Sequence, residues 1–528
     1  MNPMNADDVA SAFALAASAW PERPFLNILP ETAAIYDIAA GQITYSGAQS
    51  RITALRDDMR KAGLRAGHRI MLGLQNRPDF FLYWIAANGL GASVVPVNPD
   101  LRAAELTHMA GLTRPVLAIA TPDRHDDLSQ GCPGCVIIAP GDPIPHIGAD
   151  PAFDDAPGRA CETAVLFTSG STGKPKGCVL SNDYFLRAGA WYAAEGGLCA
   201  LRSDGERMLT PLPVFHMNAM AYSLMAMIAT GGCLTVLDRF HPRSWWQSVH
   251  DSGATCVHYL GVMPSMLMGL TETGLDRAHQ VRFGFGAGVD SKLHAAFEDR
   301  FGFPLVEAWA MTETGAGAVI AASQLPRRVG ESALGRPGDG MEYRLEPDGD
   351  DPAQGELLVR ASGPDPRAGF FREYLADPVA TSDAWAEGWF HTGDIVRRAP
   401  DGQIHFVDRK KNVIRRSGEN IAAVEVESAL IRHPAVASVG VAAVPDALRG
   451  DEVFACIVAN GTLDSRELVE WALGQLAYYK VPGYVALVDA LPLTPTNKLQ
   501  RAELKAMAAA LLGDPATHDL RHMKKRQP

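Results

Sequence analysis

Strand-like and helical runs alternate along the first 400 residues of this 528-residue chain, and this alternation limits its folds most strongly. Short apolar runs such as residues 69–74 and 93–97 are typical of buried strands. Residues 46–62 and 79–88 have instead the spacing of helices. Strands that alternate with helices predict layered α/β structure with mostly parallel sheets. The length indicates about three or four folding units.

The pattern changes after about residue 330, where short strands and tight turns follow one another. Residues 342–345 and 355–359 flank a turn-rich stretch, and residues 403–407 follow Pro400-Asp401-Gly402. Turn residues between short strands predict hairpins. We therefore expect a small antiparallel, β-barrel-like subdomain in this part of the chain.

A compact βαβ-like segment begins near residue 412. Helices from Ala423 and over residues 465–476 accompany strands at residues 436–444 and 452–458, a pattern typical of a small α+β domain. We place the domain boundary at residues 409–411. The predicted fold class is α/β: a large N-terminal domain of layered subdomains over residues 1–409, followed by a small α+β domain over residues 410–528.

The charge balance argues against polyanionic partners. Lys and Arg number 48 against 60 Asp and Glu, so the net charge is -12, and the chain has no internal basic block. Nucleic acids and anionic membranes are bound through clustered Lys and Arg. We therefore expect neither nucleic acid nor an anionic membrane surface as a partner.

Residues 208–237 contain no Asp, Glu, Lys or Arg and could be mistaken for a membrane span. Pro211, Pro213 and the Gly231-Gly232 pair interrupt the stretch, whereas a spanning helix needs about 20 continuous apolar residues. We expect a loop, a buried helix over residues 219–229 and a buried strand. Scattered cysteines suit a reducing compartment, so the expected location is the cytoplasm.

Cys132-Pro-Gly-Cys135 is a CxxC motif, which is found in redox and zinc sites. No second pair follows at zinc spacing, and the motif lies in a stretch rich in Gly and Pro. A structural role is therefore favoured over a redox or zinc site.

The strongest local signal directly follows the strand at residues 164–167. The segment reads Thr168-Ser-Gly-Ser-Thr-Gly-Lys-Pro-Lys-Gly177, with four hydroxyls, three glycines and two lysines in ten residues. Glycines let backbone N–H groups converge on an anion, and hydroxyls and lysine add donors and charge. The segment predicts a polyphosphate site. It is not a Walker A loop, because only two residues separate Gly170 from Gly173.

This loop and six further motifs, taken in their order along the chain, resemble motifs of the adenylate-forming enzymes. That family includes acyl-CoA synthetases, adenylation domains of peptide synthetases and luciferases. The resemblance covers nearly the whole chain, from Ile43-Thr-Tyr-Ser46 onward. The other motifs are Pro213-Val-Phe-His216, Trp309-Ala-Met-Thr-Glu313, Trp389-Phe-His-Thr-Gly-Asp394, Asp408-Arg-Lys-Lys-Asn412, Ser417-Gly-Glu-Asn420 and Leu493-Thr-Pro-Thr-Asn-Lys498.

The resemblance implies a two-step reaction. A carboxylate attacks the α-phosphorus of ATP to give acyl-AMP and pyrophosphate, and a thiol then takes the acyl group. Such chemistry depends on positioning and charge neutralisation. The residues that the resemblance assigns to the phosphates are Thr168, Ser169, Gly170, Ser171, Thr172, Gly173 and Lys176.

The resemblance assigns catalytic roles to four residues. Glu313 would bind Mg²⁺, since a hard cation prefers carboxylate oxygen, and Thr312 would bond the α-phosphate. Lys498 would bond the carboxylate and the α-phosphate during adenylation. His216 is placed among the catalytic and acyl-pocket residues.

For the nucleoside, the resemblance implies that Asp394 accepts the ribose hydroxyls and that Arg409 also contacts the ribose. Trp309 stands where the family usually has a tyrosine packed on adenine, and adenine packing is favoured for it over the core role that a buried Trp usually has. Residues of the Gly284-Phe-Gly-Ala-Gly288 motif would form the opposite wall, namely Gly286, Ala287 and Gly288.

For the acceptor, Ser417, Gly418 and Glu419 resemble the loop that lines the pantetheine tunnel in CoA ligases. Lys411 matches the hinge about which the small domain rotates, which makes that domain mobile. The alternative for Lys411 is a simple charged linker. Departures from the family pattern are Ala310, Asn412 and Asn497, none of which removes a required charge.

The resemblance implies ATP, Mg²⁺, CoA and a small carboxylic acid as cofactors and substrates, and a homodimer is compatible with it. Only thirty residues follow Lys498, too few for a fused carrier domain of about 80 residues, so free CoA is favoured over a carrier protein. A non-catalytic nucleotide-binding regulator and a luciferase-like oxygenase are the alternatives from other classes.

The acid is less constrained. The chain looks most like the carnitine/crotonobetaine–CoA ligase branch, and mostly apolar pocket positions argue against a dicarboxylic acid. Tyr259, Phe285 and Trp309 could form a cation–π wall for a quaternary ammonium, or an ordinary acyl pocket. The pocket positions are His216, Met217, Asn218, Tyr259, Val262, Met263, Phe285, Gly286 and Met311.

Overall fold

The computed structural model describes residues 2–168, 175–347, 351–409, 413–493 and 499–525. The first 321 residues form strands and helices in alternation, as the sequence predicts. The strands are β1 (Pro24–Ile28), β2 (Gly41–Thr44), β3 (Arg69–Gly73), β4 (Ser93–Pro96), β5 (Leu117–Ala120), β6 (Val136–Ile138), β7 (Glu162–Thr168), β8 (Lys176–Ser181), β9 (Arg207–Thr210), β10 (Cys233–Val236), β11 (Cys256–Leu260), β12 (Phe283–Ala287), β13 (Leu305–Trp309) and β14 (Ile320–Ala321).

Along the chain, the helices of this part precede or separate those strands. They are α1 (Val9–Ala19), α2 (Pro30–Tyr36), α3 (Tyr45–Lys61), α4 (Pro78–Asn88), α5 (Ala103–Thr113), α6 (His125–Gly131), α7 (Asn182–Glu195), α8 (Met225–Thr230), α9 (Trp245–Ser252), α10 (Val262–Met268) and α11 (Ser291–Phe301). The charge-free stretch contains a π-helical turn, Asn218–Leu224, that continues into α8. Where the chain is described, no helix is both long and apolar enough to cross a membrane.

Two sheets with mostly parallel neighbours build this part, which confirms the predicted α/β class. One has the strand order β14-β13-β12-β11-β9-β10-β1-β2, and the other includes β8-β7-β4-β3-β5-β6. Helices α1, α4, α7 and α8 belong to one buried cluster that also contains residues of both sheets, such as Leu72 and Leu234. Trp84 of α4 packs edge-on against Phe185 of α7, with 4.7 Å between ring centroids. The apolar helices are buried because they lie between two sheets.

The next part is the antiparallel unit that the turn-rich sequence predicts. Its elements are β15 (Ala333–Gly335), β16 (Met341–Pro347), β17 (Gln354–Ala361), β18 (Glu373–Tyr374), α12 (Pro378–Ala384), β19 (Phe390–Arg398) and β20 (Ile404–Arg409). Five strands form a sheet in the order β15-β20-β19-β17-β16, and β18 instead extends the second parallel sheet beside β8. This five-stranded sheet occupies the place of the expected barrel-like subdomain.

The C-terminal part is a small α+β unit. It contains β21 (Val413–Arg416), β22 (Glu419–Ala422), α13 (Ala423–Leu430), β23 (Val436–Asp446), β24 (Gly450–Ala459), α14 (Ser465–Leu473), β25 (Tyr484–Leu487), α15 (Arg501–Leu511) and β26 (Thr517–Asp519). Strands β24 and β25 are parallel and α14 connects them. One buried cluster joins this unit to the larger one, since it contains Val95 and Leu106 as well as Leu476 and Tyr479.

Candidate active site

A cavity of about 660 Å³ lies between the larger unit and the C-terminal unit. Its floor is built by residues at the carboxyl ends of β7, β11, β12 and β13, which is where ligands of parallel α/β sheets usually bind. Residues of β19 form one side of the cavity, and the C-terminal unit closes it with residues around Gly418 and Tyr479. Sequence motifs that are hundreds of residues apart therefore meet at one cavity.

The side of the cavity that is predicted to bind phosphate includes Thr168 and Lys176, which lie opposite each other on β7 and β8. Both residues line the cavity. Lys176 Nζ lies 4.9 Å from the ring centroid of Tyr374, a cation–π distance. The intervening predicted phosphate ligands, Ser169, Gly170, Ser171, Thr172 and Gly173, lie outside the described residues.

Glu313 is a buried carboxylate at this side, with 6% of its surface exposed. Its Oε1 accepts hydrogen bonds from the hydroxyls of Thr168, at 3.1 Å, and Tyr374, at 2.9 Å. Neither bond uses Oε2. Carboxylate oxygen is the ligand type that Mg²⁺ prefers, and this one lies beside the predicted phosphate loop. Glu313 therefore fits the metal role that the resemblance assigns. Tyr374 carries no sequence signal for this contact.

Thr312, the neighbour of Glu313, also lines the cavity. Its carbonyl oxygen accepts a hydrogen bond of 2.9 Å from the hydroxyl of buried Tyr184. Burial raises the pKa of Tyr184 well above its usual value, so the phenol keeps its proton. The segment is thereby fixed from beneath by α7.

The wall at Gly286, Ala287 and Gly288 is made of closely packed backbone. A Cβ on Gly286 would lie 2.1 Å from the carbonyl oxygen of Tyr259 on the paired strand. The carboxylate of buried Glu307 accepts hydrogen bonds from the backbone N–H groups of Gly288, at 2.9 Å, and Val289, at 2.8 Å. Burial raises the pKa of Glu307. Sequence reasoning missed Glu307, because a Glu within an apolar strand has no motif of its own.

Asp394 is almost fully buried, at 1% exposed, and lines the cavity. Its Oδ2 accepts a hydrogen bond of 2.8 Å from Nε1 of Trp309. Trp309 is buried and is not among the lining residues, whereas its neighbours Ala308 and Ala310 are. The indole therefore holds Asp394, and its predicted packing on adenine stays a prediction. In the backbone register of the sheet, Arg409 on β20 lies opposite Asp394 on β19.

The side of the cavity that is predicted to admit the thiol is lined by Gly418 and Glu419, which follow Ser417 in a tight turn. Ser417 and Gly418 have φ of 51° and 92°, and a Cβ on Gly418 would lie 2.4 Å from Cδ1 of Leu260. Glu419 Oε2 lies 3.4 Å from Nε2 of His216, and Asn98 donates to Glu419 Oε1 at 3.2 Å. The structure thus brings His216, Gly418 and Glu419 together at the cavity. Ser417 itself is not among the lining residues.

The predicted hinge Lys411 and the predicted adenylation residue Lys498 lie outside the described residues. Leu493 and Leu499, the described residues nearest to Lys498 on either side, form an isolated antiparallel bridge with each other. Neither of them lines the cavity.

A buried ion cluster, which sequence reasoning missed, links the two units. Lys480 Nζ lies 2.7 Å from Glu105 of α5 and 2.6 Å from Glu425 of α13, and all three side chains are largely buried. Burial alone would lower the pKa of Lys480, but the two carboxylates outweigh it and hold that pKa well above its usual value. The lysine therefore stays charged and attached to both units.

Eight of the nine predicted acyl-pocket positions line the cavity, and Met263 is buried behind them. Tyr222 lines it as well and was missed; its hydroxyl donates to the carbonyl of Gly315 at 3.0 Å. These positions are chiefly aromatic and aliphatic, and the kind of acid that they bind stays a prediction.

The CxxC pair lies away from the cavity. Both thiols are free, and burial raises the pKa of Cys132 to about 11 and that of Cys135 to about 12. A thiol is reactive and binds metal as the thiolate, which these pKa values disfavour. This agrees with a structural role.

Comparison with known proteins gives a consistent result. The family model described as AMP-binding enzyme matches residues 16–375, and the model described as AMP-binding enzyme C-terminal domain matches residues 425–498. A crotonobetaine/carnitine–CoA ligase of Salmonella paratyphi A is 29% identical over 504 residues, which cover 90% of this chain and 96% of that protein.

Solved structures share the fold. A double mutant of o-succinylbenzoate CoA synthetase from Bacillus subtilis has a TM-score of 0.78 at 22% identity, covering 93% of this chain and 97% of its own. A malonyl-CoA ligase in a ternary product complex has a TM-score of 0.74 at 25% identity, covering 89% and 97%.

Proposed function

The chain belongs to the AMP-binding enzyme family, and from that premise we propose that it is an AMP-forming acyl-CoA synthetase. It would activate a carboxylic acid with ATP as acyl-AMP, release pyrophosphate, and then transfer the acyl group to CoA. A cytoplasmic location is part of the proposal, because the described cysteines are free thiols.

One observation carries this proposal: phosphate-side, ribose-side and acceptor-side residues line the same cavity. Glu313, Asp394 and Gly418 come from three separate parts of the chain and all line it. A reaction that joins ATP, an acid and a thiol needs such a meeting point, because holding the reactants together supplies much of the rate enhancement.

In the first step, the described residues would bind and orient ATP. Lys176 contributes positive charge to the phosphates, and the Asp394 carboxylate accepts the ribose hydroxyls. When bound, Mg²⁺ would neutralise phosphate charge, and Glu313 would hold it through its carboxylate. Lys498 is proposed to bond the carboxylate of the acid and the α-phosphate, where negative charge develops.

In the second step, the thiol would approach past the turn at Gly418. A glycine with positive φ leaves the space that a side chain would fill against Leu260. Because Gly418 and Glu419 line the cavity while Leu493 and Leu499 do not, we propose that the described arrangement is the thioester-forming one. The hinge at Lys411 and the domain boundary at residues 409–411 belong to this proposal.

The acid is proposed to be a small or medium monocarboxylate. Carnitine and crotonobetaine are the finer candidates, supported by the 29% identical ligase and by aromatic lining at Tyr259 and Phe285. Aromatic rings attract quaternary ammonium groups through their π faces.

The test is a panel of acids incubated with ATP, Mg²⁺ and CoA, with AMP and CoA thioester measured by mass spectrometry. We expect both products in equal amounts for the true acid. Asp394→Asn should raise the KM for ATP, because one ribose acceptor becomes a donor. The matched control is Asp401→Asn, which changes an acid paired with Arg328 outside the cavity.

Other outcomes would select the alternatives. A thioester that forms only on a phosphopantetheinylated carrier protein would indicate a carrier-loading enzyme. ATP binding without AMP formation for any acid would indicate a nucleotide-binding regulator.

A further inference from the structure

A buried histidine lies directly behind one wall of the cavity. His258 of β11 is fully buried, and its Nε2 lies 3.0 Å from the hydroxyl of Tyr192. Its Nδ1 lies 2.8 Å from Oδ1 of Asn218 and 2.9 Å from Oγ of Ser223. Of these side chains, only that of Asn218 lines the cavity. The hydrogen bonds of the histidine reach the pocket through the Asn218 amide, and its ring also packs on that of Phe285, with 5.3 Å between the centroids.

The hydrogen bond from Tyr192 determines which nitrogen of His258 carries the proton. Tyr192 is fully buried, burial raises the pKa of its phenol well above the usual value, and His258 Nε2 is its one hydrogen-bond partner in the described part of the chain. A buried hydroxyl that donates to nothing has lost its hydrogen bond to water without replacing it, which is unfavourable. Tyr192 therefore donates to Nε2, and the proton of the neutral imidazole is on Nδ1.

The imidazole is neutral throughout the physiological range, because burial lowers the pKa of His258 to about 3. With its hydrogen on Nδ1, the ring presents an N–H donor to two oxygens within reach, Oδ1 of Asn218 at 2.8 Å and Oγ of Ser223 at 2.9 Å. A flipped amide would set its own N–H groups against this N–H donor. The orientation of the Asn218 side chain is therefore determined from behind the wall.

The local backbone holds Asn218 in the same place. Asn218 begins the π-helical turn Asn218–Leu224, and this turn brings Ser223 back against it. The Ser223 hydroxyl donates to the Asn218 carbonyl at 3.3 Å. Because π-helical turns occur often at functional sites, this placement is consistent with a binding role.

The consequence is a pair of free donors. Oδ1 of Asn218 is used by His258, whereas its Nδ2 has no hydrogen-bond partner among the described residues. The neighbouring wall, with Met217, Tyr222 and Phe285, is apolar or aromatic. When a bound ligand offers this amide no acceptor, the N–H groups of Asn218 lose the hydrogen bonds that they would make to water.

We propose that Asn218 selects acids whose acyl chain carries a hydrogen-bond acceptor, a hydroxyl or carbonyl oxygen, over analogues that lack one. This inference rests on the proposed function and names the substrate class of the same pocket. The N–H groups carry partial positive charge, so a trimethylammonium group placed against Nδ2 would be disfavoured. Tyr192 and His258 are positioning residues that act through Asn218.

The test compares matched pairs of acids that differ only in one oxygen. Butanoate is compared with 3-hydroxy- and 4-hydroxybutanoate, and carnitine with its 3-deoxy analogue. We expect a kcat/KM ratio of about ten in favour of the better-placed oxygen, the usual size of a satisfied buried donor. The ratio within a pair cancels general losses of folded protein.

Two variants and one control locate the cause. Asn218→Leu should bring the ratio close to one, and Tyr192→Phe should lower it because the histidine is then free to change tautomer. Tyr45→Phe also removes a buried phenol hydroxyl, one that donates to the Met227 carbonyl at 2.7 Å away from the cavity. This control should keep the wild-type ratio.

A wild-type ratio near one for every pair, or an unchanged ratio in Asn218→Leu, would overturn the inference while leaving the proposed synthetase intact. Absence of AMP and thioester with all acids would instead overturn the proposed function. In that case calorimetric binding of the same pairs still decides the inference, since the Asn218 preference is a binding preference.

Discussion

Glu313 and Asp394 show how single carboxylates are prepared for different partners. Glu313 has two hydroxyl donors on one oxygen, whereas Asp394 accepts from the indole of Trp309. In both cases one oxygen is oriented by the protein. The contacts are local, but they join residues that are far apart in the sequence.

Glu313→Gln should raise the Mg²⁺ concentration needed for half-maximal AMP formation at least several-fold. The amide can still accept from Thr168 and Tyr374, but it lacks the charge that binds the metal. Tyr374→Phe is the control, since it removes a hydroxyl and keeps the carboxylate. A raised KM for ATP with an unchanged Mg²⁺ requirement, the effect expected of Asp394→Asn, would mean that the two sites are misassigned.

His258 should make stability depend on pH. The unfolded imidazole titrates near 6.5 and the folded one near 3, so between these values only the unfolded state binds the proton. The free energy of unfolding should therefore fall as pH falls from 6.5, by about 1.4 kcal/mol per pH unit well inside that range. Denaturant unfolding of wild type and His258→Gln at pH 7.5 and 5 measures this slope.

The exposed His250 supplies the comparison for that experiment. His250→Gln should keep the wild-type slope, because the side chain of His250 is 57% exposed. Equal slopes for wild type and His258→Gln would contradict the buried, neutral assignment.

At the scale of elements, α5 and α13 are connected through one buried lysine. Glu105 belongs to the larger unit, and Glu425 and Lys480 belong to the C-terminal unit. Removing one partner of a buried ion pair costs about 3 kcal/mol or more, because the remaining charge stays desolvated. The cluster should therefore favour the described orientation of the two units.

Glu105→Gln should slow CoA-thioester formation several-fold and leave pyrophosphate release from ATP and acid nearly unchanged. The reason is that the contact between Glu105 and Lys480 belongs to the described arrangement of the two units, which is the one proposed to form the thioester. Rapid-quench measurement of the two half-reactions distinguishes them, with the exposed acid of α6 as control in Asp126→Asn. Equal losses in both half-reactions would mean that the cluster only stabilises the fold.

At the scale of the whole molecule, the proposed reaction needs the C-terminal unit in two orientations. Proline at position 411 fixes φ near -65° and restricts residue 410. Lys411→Pro should therefore keep pyrophosphate release and lose most thioester formation. Damage to both half-reactions alike, or to neither, would show that residues 409–411 are only a charged linker.

Gly418→Trp should block thioester formation by a different route, by filling the space next to Leu260 while rotation continues. Gly402→Trp is the matched control, because Gly402 also has positive φ, at 83°, and open space around its Cα. Limited proteolysis should show one cleavage pattern for Lys411→Pro with or without acyl-AMP. The Gly418 variant should still switch between two patterns.

Lys498→Ala should lower acyl-AMP formation by several orders of magnitude and leave thioester formation from synthetic acyl-AMP nearly intact. The expected reason is that the lysine stabilises charge only in the adenylation transition state. Equal loss in the two half-reactions would contradict this assignment.

The sequence by itself determined the fold class and predicted many of the residues that line the cavity. Alternating apolar runs are set by local periodicity, so the parallel sheets and the later hairpins were predictable. The resemblance of the ordered motifs to the family predicts that Thr168, Lys176, Glu313 and Asp394 act in one reaction, and the structure brings these four residues to one cavity. Such motifs can be recognised because the glycines, hydroxyls and charges of each one lie close together along the chain.

Only the tertiary structure decided which ordinary residues support the site. Glu105 lies in a helix, Glu307 in a strand and Lys480 in the turn that follows α14, and each looks like an ordinary position in the sequence. Their partners lie at sequence distances that no local pattern encodes. The same holds for His258 behind Asn218 and for Trp309 on Asp394. A buried charge or donor is defined by what surrounds it in space, and packing of distant elements alone brings those partners together.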